Sequence, residues 1–175
     1  MRSRASIAAS VDTTGAWEAL ARSASEGEVE PELRDESSEF LACELGGVVY
    51  ALAVERVREV VRIRPITPIP RVPKEICGVV SQRGEIVQII DVRRRLGFPP
   101  GEPTRASRIL FVRGADGTAA GLLVDAVVGV LRIPEDALHP SLPGESVAVE
   151  AMCRYRDQFI SVIALDSLLD VHDES

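Results

Sequence analysis

The sequence predicts an all-β protein with short helices, built as two repeated small barrels packed together. Three observations predict this fold: the residue composition, a series of short apolar runs and an internal repeat. Hydrophobic residues make up 46% of the 175 residues but aromatic residues only 4%, so the core must consist of Val, Ile, Leu and Ala, and β-branched residues favour strands. A chain of this length can bury one substantial core or two small fused ones.

Strand-length apolar runs begin at Phe40 and are separated by turn residues. Gly46-Gly47 between FLACEL and VVYALAV predicts a two-residue hairpin, and GADG at 114–117 predicts a second hairpin. Four prolines make the segment 64–74 an extended connector rather than a central strand. The further strand-length runs are CGVV, IVQIID, RILFV, AAGLLV and FISVIAL.

The chain also aligns with itself. ALAVERVREVVRI at 51–63 matches GLLVDAVVGVLRI at 121–133 without gaps, and six of the 13 positions are identical. RGEIVQIIDV at 83–92 lies opposite RDQFISVIAL at 156–165 in the same order. Two ordered matches favour a duplicated unit over chance similarity between apolar runs. The predicted halves are about 40–97 and 108–170.

Each half is predicted to contain a hairpin, a helix of one to two turns, further strands and a closing helix at 92–96 or 166–170. The first short helix is predicted from Val54 to Val61, because Val54, Val57 and Val61 would share one helical face. Small curled sheets of this kind avoid exposed edges by closing on themselves.

Residues 1–38 are rich in Ser, Ala and Glu and are predicted to form a mobile tail, with residues 172–175 as a C-terminal tail. Within the first tail, Trp17, Leu20 and Ala21 lie at helical spacing and could form a short amphipathic turn. No signal-peptide run and no apolar segment approaching about 18 residues is present. Three cysteines without a C-x-x-C pair disfavour disulfides and zinc. We therefore expect a cytoplasmic protein without a metal or cofactor and without direct membrane insertion.

The net charge of -7 argues against nucleic-acid binding. Residues 55–95, however, hold ten basic and five acidic side chains, and Lys74 is the only lysine among them. The simplest interpretation is a solvated surface balanced by nearby acids. The alternative is a small-barrel nucleic-acid-binding module, although this segment lacks aromatic side chains for base stacking.

No established catalytic motif occurs in the chain. His139 and His172 lack the neighbours that a general base needs. Asp91 and Asp125 follow apolar strands, so a small hydrolase using Asp91 is one hypothesis. The favoured hypothesis is that both carboxylates cap the short helices that follow them. We expect no enzymatic activity.

Residues 39–171 resemble the CheW family over nearly the whole folded region. EFLACELGGVVYALAVERVREVV is similar to its opening strand, hairpin and V-x-E-I/V stretch. ICGVVSQRGEIVQIIDVRRRLG is similar to its G-V-x-N-x-R-G-x-I-x-P-I-I/V-D-L-R hallmark, and GLLVDAVVGVL to G-x-x-V-D-x-V-x-x-V. The resemblance implies two packed SH3-like barrels of five strands each.

The resemblance also implies a non-catalytic adaptor that couples the cytoplasmic tips of methyl-accepting chemoreceptors to the regulatory domain of a CheA-type histidine kinase. Such an adaptor is located in the cytoplasm at membrane-bound receptor arrays, where other CheW-like domains could join it in rings. By the same resemblance, Glu59 and Arg83 form a polar pair near the groove between the halves, and the receptor-binding residues are Val54, Glu59, Arg83, Ile109, Val127 and Val130. The kinase-binding residues are Val57, Val60, Gly78 and Gly121.

The chain departs from the hallmark at Ser81, Gln82 and Gln88, which stand where the family has Asn, an apolar residue and Pro. These departures leave the partner open, and a related array controlling twitching or gliding is an alternative. The repeat adds a second argument, because Arg58 and Glu59 in the first copy correspond to Val128 and Gly129 in the second. One scaffold could thus present two chemically different surfaces to two partners.

Overall fold

The computed structural model describes residues 36–144, 146 and 148–171. Residues 1–35, with the amphipathic turn proposed around Trp17, and the tail at 172–175 lie outside the described residues. The strands are β1 (Ser37–Leu45), β2 (Val48–Ala53), β3 (Val57–Arg62), β4 (Ile76–Gln82), β5 (Glu85–Asp91), β6 (Arg108–Arg113), β7 (Ala119–Val124), β8 (Ala126–Pro134), β9 (His139–Pro140), β10 (Val149–Tyr155) and β11 (Gln158–Ile163). The helices are α1 (Val92–Arg95) and α2 (Leu165–Leu169), and two 3₁₀ turns are Val54–Arg56 and Glu135–Ala137.

These strands form two packed sheets, so the predicted all-β class is confirmed. One sheet has six strands in the order β8-β1-β2-β11-β10-β9, and the other has five in the order β3-β6-β7-β5-β4. Each sheet takes a hairpin from one half of the sequence and further strands from the other half. The two repeated units therefore exchange their hairpins, and the sheets do not coincide with the halves of the chain.

The strand register follows the sequence repeat closely. Ile89 pairs with Gly121 in the parallel β5–β7 ladder, and Val162 pairs with Ala51 in the parallel β11–β2 ladder. Strands β3 and β8 also have β-bulges at equivalent places of the repeat. The pairing of β3 with β6 skips Arg58, and the pairing of β8 with β1 skips Val128. Bulges are built into a strand by its local sequence and pairing, so their repetition supports the duplicated unit.

The predicted hairpins are present. Leu45 pairs with Val48 across Gly46 and Gly47, whose φ angles are 60° and 81°, as a twisted two-residue turn requires. Arg113 pairs with Ala119 across the GADG turn. The proline-rich connector forms no central strand, as predicted, but it is not extended throughout, because it turns at residues 70–71 and 74–75. Its Thr67 pairs with Val79 of β4.

The helix predicted from Val54 to Val61 is wrong. The chain makes one 3₁₀ turn over Val54–Arg56 and continues as strand β3, which pairs with β6. In β3 the residues alternate between half-buried and exposed positions, which is the period of a strand. Strand β1 begins at Ser37, before the apolar run at Phe40, and pairs there with the end of β8.

The main hydrophobic core is shared by the two sheets. It joins side chains of β1 and β2 to side chains of β5, β6 and β7, and α1 and α2 close it with Val92 and Leu168. A smaller cluster lies inside the five-stranded sheet and consists of Val80, Val87, Ile89, Ile109 and Phe111. Because the first core combines strands from both halves of the chain, burial of its apolar surface holds the halves together.

Candidate functional site

A groove opens on the five-stranded sheet, above the smaller core cluster. Strand β3 forms one wall, the β4–β5 hairpin forms the other, and β6 and β7 form the floor. Its volume is about 280 Å³. The floor is apolar and the walls carry both signs of charge. The lining residues are Arg58, Glu59, Gln82, Arg83, Glu85, Val87, Phe111, Val112, Arg113, Ala119 and Ala120.

An ion pair links the two walls. Arg83 Nη2 lies 3.2 Å from Glu59 Oε2, and the side chains are 81% and 34% exposed. Arg83 is the first residue of the two-residue turn between β4 and β5, with φ 50°, and Gly84 follows with φ 85°. A non-glycine residue in this region of the backbone is uncommon. The turn holds the guanidinium group at the rim while β3 fixes the carboxylate lower down.

Gln82 extends this pair into a network. Its Nε2 donates to Glu59 Oε2 at 2.6 Å, and its Oε1 accepts from Nη2 of Arg64. The Arg64 guanidinium lies 5.3 Å from the centre of the Phe111 ring, a cation–π arrangement. Sequence reasoning paired Glu59 with Arg83 but missed Arg64 and Phe111. The available signal was a polar residue, Gln82, in a position where the family has an apolar one.

The other residues assigned to partner binding divide into three groups. Val60 in β3 and Val130 in β8 are 41% and 53% exposed, so both can touch a partner. Val54, Val57 and Val127 are half-buried and pack against the main core.

Ile109 is fully buried, and Gly78 and Gly121 are buried as well. A Cβ at Gly78 would lie 2.2 Å from the Thr67 carbonyl oxygen, and one at Gly121 would lie 2.4 Å from Cδ1 of Ile89. These close approaches are made within the chain. Any effect of the three residues on partner binding must therefore act through the packing of the five-stranded sheet.

The two strand-end carboxylates have different roles. Asp91 caps α1 as predicted, because it accepts from the Arg94 backbone N–H at 3.2 Å, and it also pairs with the Arg94 guanidinium. The capping role predicted for Asp125 is wrong, since strand β8 follows it. Asp125 accepts from the Gly46 N–H at 2.8 Å and lies 3.3 Å from Arg93 Nη1. It thus holds the β1–β2 hairpin against α1.

Many arginines of the basic segment already have partners within the chain. Arg56 pairs with Asp166 at 2.6 Å, and Arg95 donates to three carbonyl groups at the end of α2. Arg64, Arg83, Arg93 and Arg94 are engaged as described above. Charges that are paired internally are less available for phosphate contacts, so the arrangement favours the structural interpretation of the basic segment.

Burial raises the pKa of the Cys43 thiol to about 12 and that of Cys77 to about 11, with nearby carboxylates adding to both shifts. Both thiols are therefore protonated and poorly nucleophilic near neutral pH. Among residues 36–144, 146 and 148–171, no cluster of three His, Cys, Asp or Glu side chains could hold a metal ion. No helix in the described part of the chain is long and apolar enough to span a membrane.

Fold and site together define a small duplicated β-protein that presents a charged groove and exposed apolar edge residues. Residues 39–173 match the family model described as the CheW-like domain. The chain therefore belongs to the CheW-like domain family, as its hallmark segments indicated.

Individual relatives agree with this assignment. The chemotaxis protein CheW of Bacillus subtilis is 28% identical over 130 residues, which cover 72% of this chain and 83% of that protein. Protein FrzA of Myxococcus xanthus is 37% identical over 112 residues, covering 63% and 69%. The crystal structure of scaffolding protein TtCheW from Thermoanaerobacter tengcongensis superposes with a TM-score of 0.73 at 33% identity, covering 77% of this chain and 94% of that one.

Proposed function

We propose that this protein is a non-catalytic adaptor that couples chemoreceptor tips to a CheA-type histidine kinase. The observation that carries the proposal is the ion pair between Glu59 and Arg83 at the groove. Its Arg83 side chain is largely exposed at the tip of a turn with unfavourable backbone geometry. An exposed ion pair adds only about 0–1 kcal/mol to stability, so its value to the molecule lies in recognition.

Two different edge strands support a coupling role. The exposed side of β3 carries Arg58, Val60 and Arg62, whereas the corresponding side of β8 carries Val128, Val130 and Arg132. Since the two strands are equivalent in the repeat, one scaffold presents two edges that differ in charge where Arg58 on one edge is replaced by Val128 on the other. We assign receptor contacts to Val130 and to the Glu59–Arg83 pair, and kinase contacts to Val60.

A reconstituted signalling mixture tests the function. Receptor signalling fragments, a CheA-type kinase and the full-length chain are combined, and kinase autophosphorylation is measured with and without the receptor. The chain is expected to make autophosphorylation receptor-dependent, and Arg83→Glu is expected to abolish that dependence while keeping the fold. Full stimulation by Arg83→Glu would refute the assigned contact. Arg105→Glu, an exposed arginine in the loop before β6, is the matched charge-reversal control.

A second candidate is a scaffold of a chemosensory array with another output, such as twitching or gliding. This candidate is supported by relatives that do not carry the name CheW. They include Protein FrzA of Myxococcus xanthus and Protein PilI of Pseudomonas aeruginosa, which is 30% identical over 106 residues. Deleting the gene and scoring swimming and surface motility separately distinguishes the two outputs. In either case we expect the protein in the cytoplasm at receptor arrays, where further CheW-like domains could join it.

A further inference from the structure

We propose that Gln82 is a positioning residue that presets the Glu59 carboxylate and thereby determines which partners the groove accepts. The inference deepens the proposed function and rests on the assignment of the Glu59–Arg83 pair to receptor binding. It concerns a residue of this chain that departs from the family hallmark, where an apolar side chain precedes the arginine.

The hydrogen bonds orient the Gln82 amide in one way. Its carbonyl oxygen accepts from the cationic Arg64, and its NH₂ group donates to the anionic Glu59. Reversing the amide would place oxygen against carboxylate and NH₂ against guanidinium, so the two charges fix the assignment. Hydrogen bonds in which one partner is charged are shorter and stronger than those between neutral groups.

The hydrogen bonds from Arg64 to Gln82 and from Gln82 to Glu59 form a relay of three side chains, and Arg64 is its first member. It is half-buried, lies over the Phe111 ring, and its Nε atom is buried without a hydrogen-bond partner among the described residues. A half-buried cation with an unsatisfied donor gains more than an exposed one from an acceptor that it contacts. Gln82 Oε1 supplies that acceptor. The relay thus runs from the aromatic floor of the groove through Gln82 to the carboxylate on β3.

The consequence lies in how Glu59 is held. Gln82 and Arg83 both donate to Oε2, and no described residue is recorded donating to Oε1. Since Gln82 fixes the carboxylate by itself, Arg83 can turn toward a partner without releasing Glu59. An apolar residue in place of Gln82 would leave Arg83 as the donor that holds Glu59, so binding a partner through Arg83 would disorder the carboxylate.

The groove then fits a partner of defined chemistry. Oε1 of Glu59 can accept from a donor such as a lysine, arginine or amide side chain, and Arg83 can pair with a carboxylate. Between them, Val87 and Phe111 offer an apolar floor. A receptor segment that carries a donor and a carboxylate beside a small apolar residue satisfies all three features. A segment lacking the donor would leave the fixed carboxylate desolvated and unpaired.

The test uses Gln82→Met, which keeps the length of the side chain but removes both hydrogen bonds, and Gln82→Glu, which sets a carboxylate against Glu59. Affinity for the cytoplasmic signalling fragment of a receptor encoded in the same genome is measured by calorimetry. Gln82→Met is expected to weaken binding about tenfold, which corresponds to about 1.4 kcal/mol, and Gln82→Glu to weaken it further. In a Glu59→Ala background, Gln82→Met is expected to change affinity less than twofold, because Gln82 acts through Glu59.

Two results would overturn the inference: an unchanged affinity for Gln82→Met, or an equal loss with and without Glu59. A partner-free measurement separates this from failure of the proposed function. ¹⁵N relaxation of the arginine side-chain Nε groups is expected to show Arg64 ordered in the wild type and more mobile in Gln82→Met. If the wild type does not bind the receptor fragment, the proposed function fails, and the relaxation data still decide whether the relay exists.

Discussion

Arg58 in β3 and Val128 in β8 are the extra residues of two β-bulges at equivalent positions of the repeat. The register shifts at the same place in both strands, but one bulge carries a guanidinium group and the other an isopropyl group. Bulges twist an edge strand and re-aim its side chains. Duplication has thus kept the geometry of the edges and changed their chemistry, as two partners of different character would require.

Val60 and Val130 provide a matched test of this division, because they are equivalent in the repeat and both exposed. Val60→Asp is expected to weaken binding of the kinase regulatory domain at least tenfold, and Val130→Asp to weaken receptor binding similarly, since each buries a carboxylate in an apolar contact. Calorimetric titration of each variant with each partner measures both losses. Each variant serves as the control for the other, and equal losses toward both partners would argue against separate edges.

Gly78 and Gly121 predict an order of stability losses. The backbone of Gly78 has φ 142°, and its Cβ would meet the Thr67 carbonyl oxygen, whereas the Cβ at Gly121 would meet the movable end of Ile89. Gly78→Ala is expected to lower the free energy of unfolding by about 3 kcal/mol or more, and Gly121→Ala by about 1–3 kcal/mol. Urea denaturation measures both values.

Gly117 is the control for these two glycines, because it has φ 88° and nothing within 4 Å of a Cβ. Gly117→Ala is expected to cost only the backbone strain, about 1 kcal/mol. Equal decreases in the free energy of unfolding for Gly78→Ala and Gly117→Ala would mean that the close contact with Thr67 does not contribute to the loss of stability. A loss of kinase binding by Gly78→Ala is expected to follow the loss of folded protein.

The sequence was sufficient to predict the strands, the hairpins and the duplication, because turn residues and apolar runs mark these features locally. It failed at 54–61, where valines at positions 54, 57 and 61 fit a helical face. The same stretch also alternates, with Val57, Glu59 and Val61 on one side of a strand. The pairing of β3 with β6, which lies about 50 residues away in the sequence, decides between the two periods. That long-range contact is invisible in a local pattern.

The site was predictable only in part, for a similar reason. The pair between Glu59 and Arg83 followed from a family hallmark, but the contact of Arg64 with Gln82 depends on where the connector leaves β3. The exchange of hairpins between the halves could not be predicted from the sequence either. An internal repeat shows which segments are similar, but it does not show which strands pair with each other. Ile109 is an example, because an apolar residue at the centre of a strand is equally consistent with a partner-binding surface and with the hydrophobic core. The structure places it in the core.

Arg95 is expected to be a structural link between the two halves of the chain. From α1 it donates to the carbonyl oxygens of Ser167, Leu168 and Asp170 at 2.9–3.2 Å, where a cation also suits the end of a helix. Arg95→Ala is expected to lower the free energy of unfolding by about 2 kcal/mol, because the carbonyl groups lose charge-assisted bonds. Urea denaturation at neutral pH measures the change.

Two further variants sharpen the test of Arg95. Arg95→Lys is expected to recover only part of the loss, since an ammonium group cannot span three carbonyl groups as the planar guanidinium does. Arg105→Ala, at an exposed loop position, is expected to stay within about 0.5 kcal/mol of the wild type. If Arg95→Ala matched Arg105→Ala, the link would be dispensable for stability.

Asp166 predicts a pH dependence with a definite sign. It accepts from the Ala115 N–H at 2.8 Å and from Arg56 at 2.6 Å, and these contacts lower the pKa of its carboxyl below the ordinary 3.8. A lowered folded-state pKa stabilises the fold fully above the unfolded value, and the contribution is lost as the pH falls through the folded value. The stability difference between wild type and Asp166→Asn is therefore expected at pH 7 and to shrink below about pH 3.8. Urea midpoints of both proteins from pH 7 to pH 3 measure this. A difference that stayed undiminished from pH 7 to pH 3 would mean that the carboxylate charge is not its source.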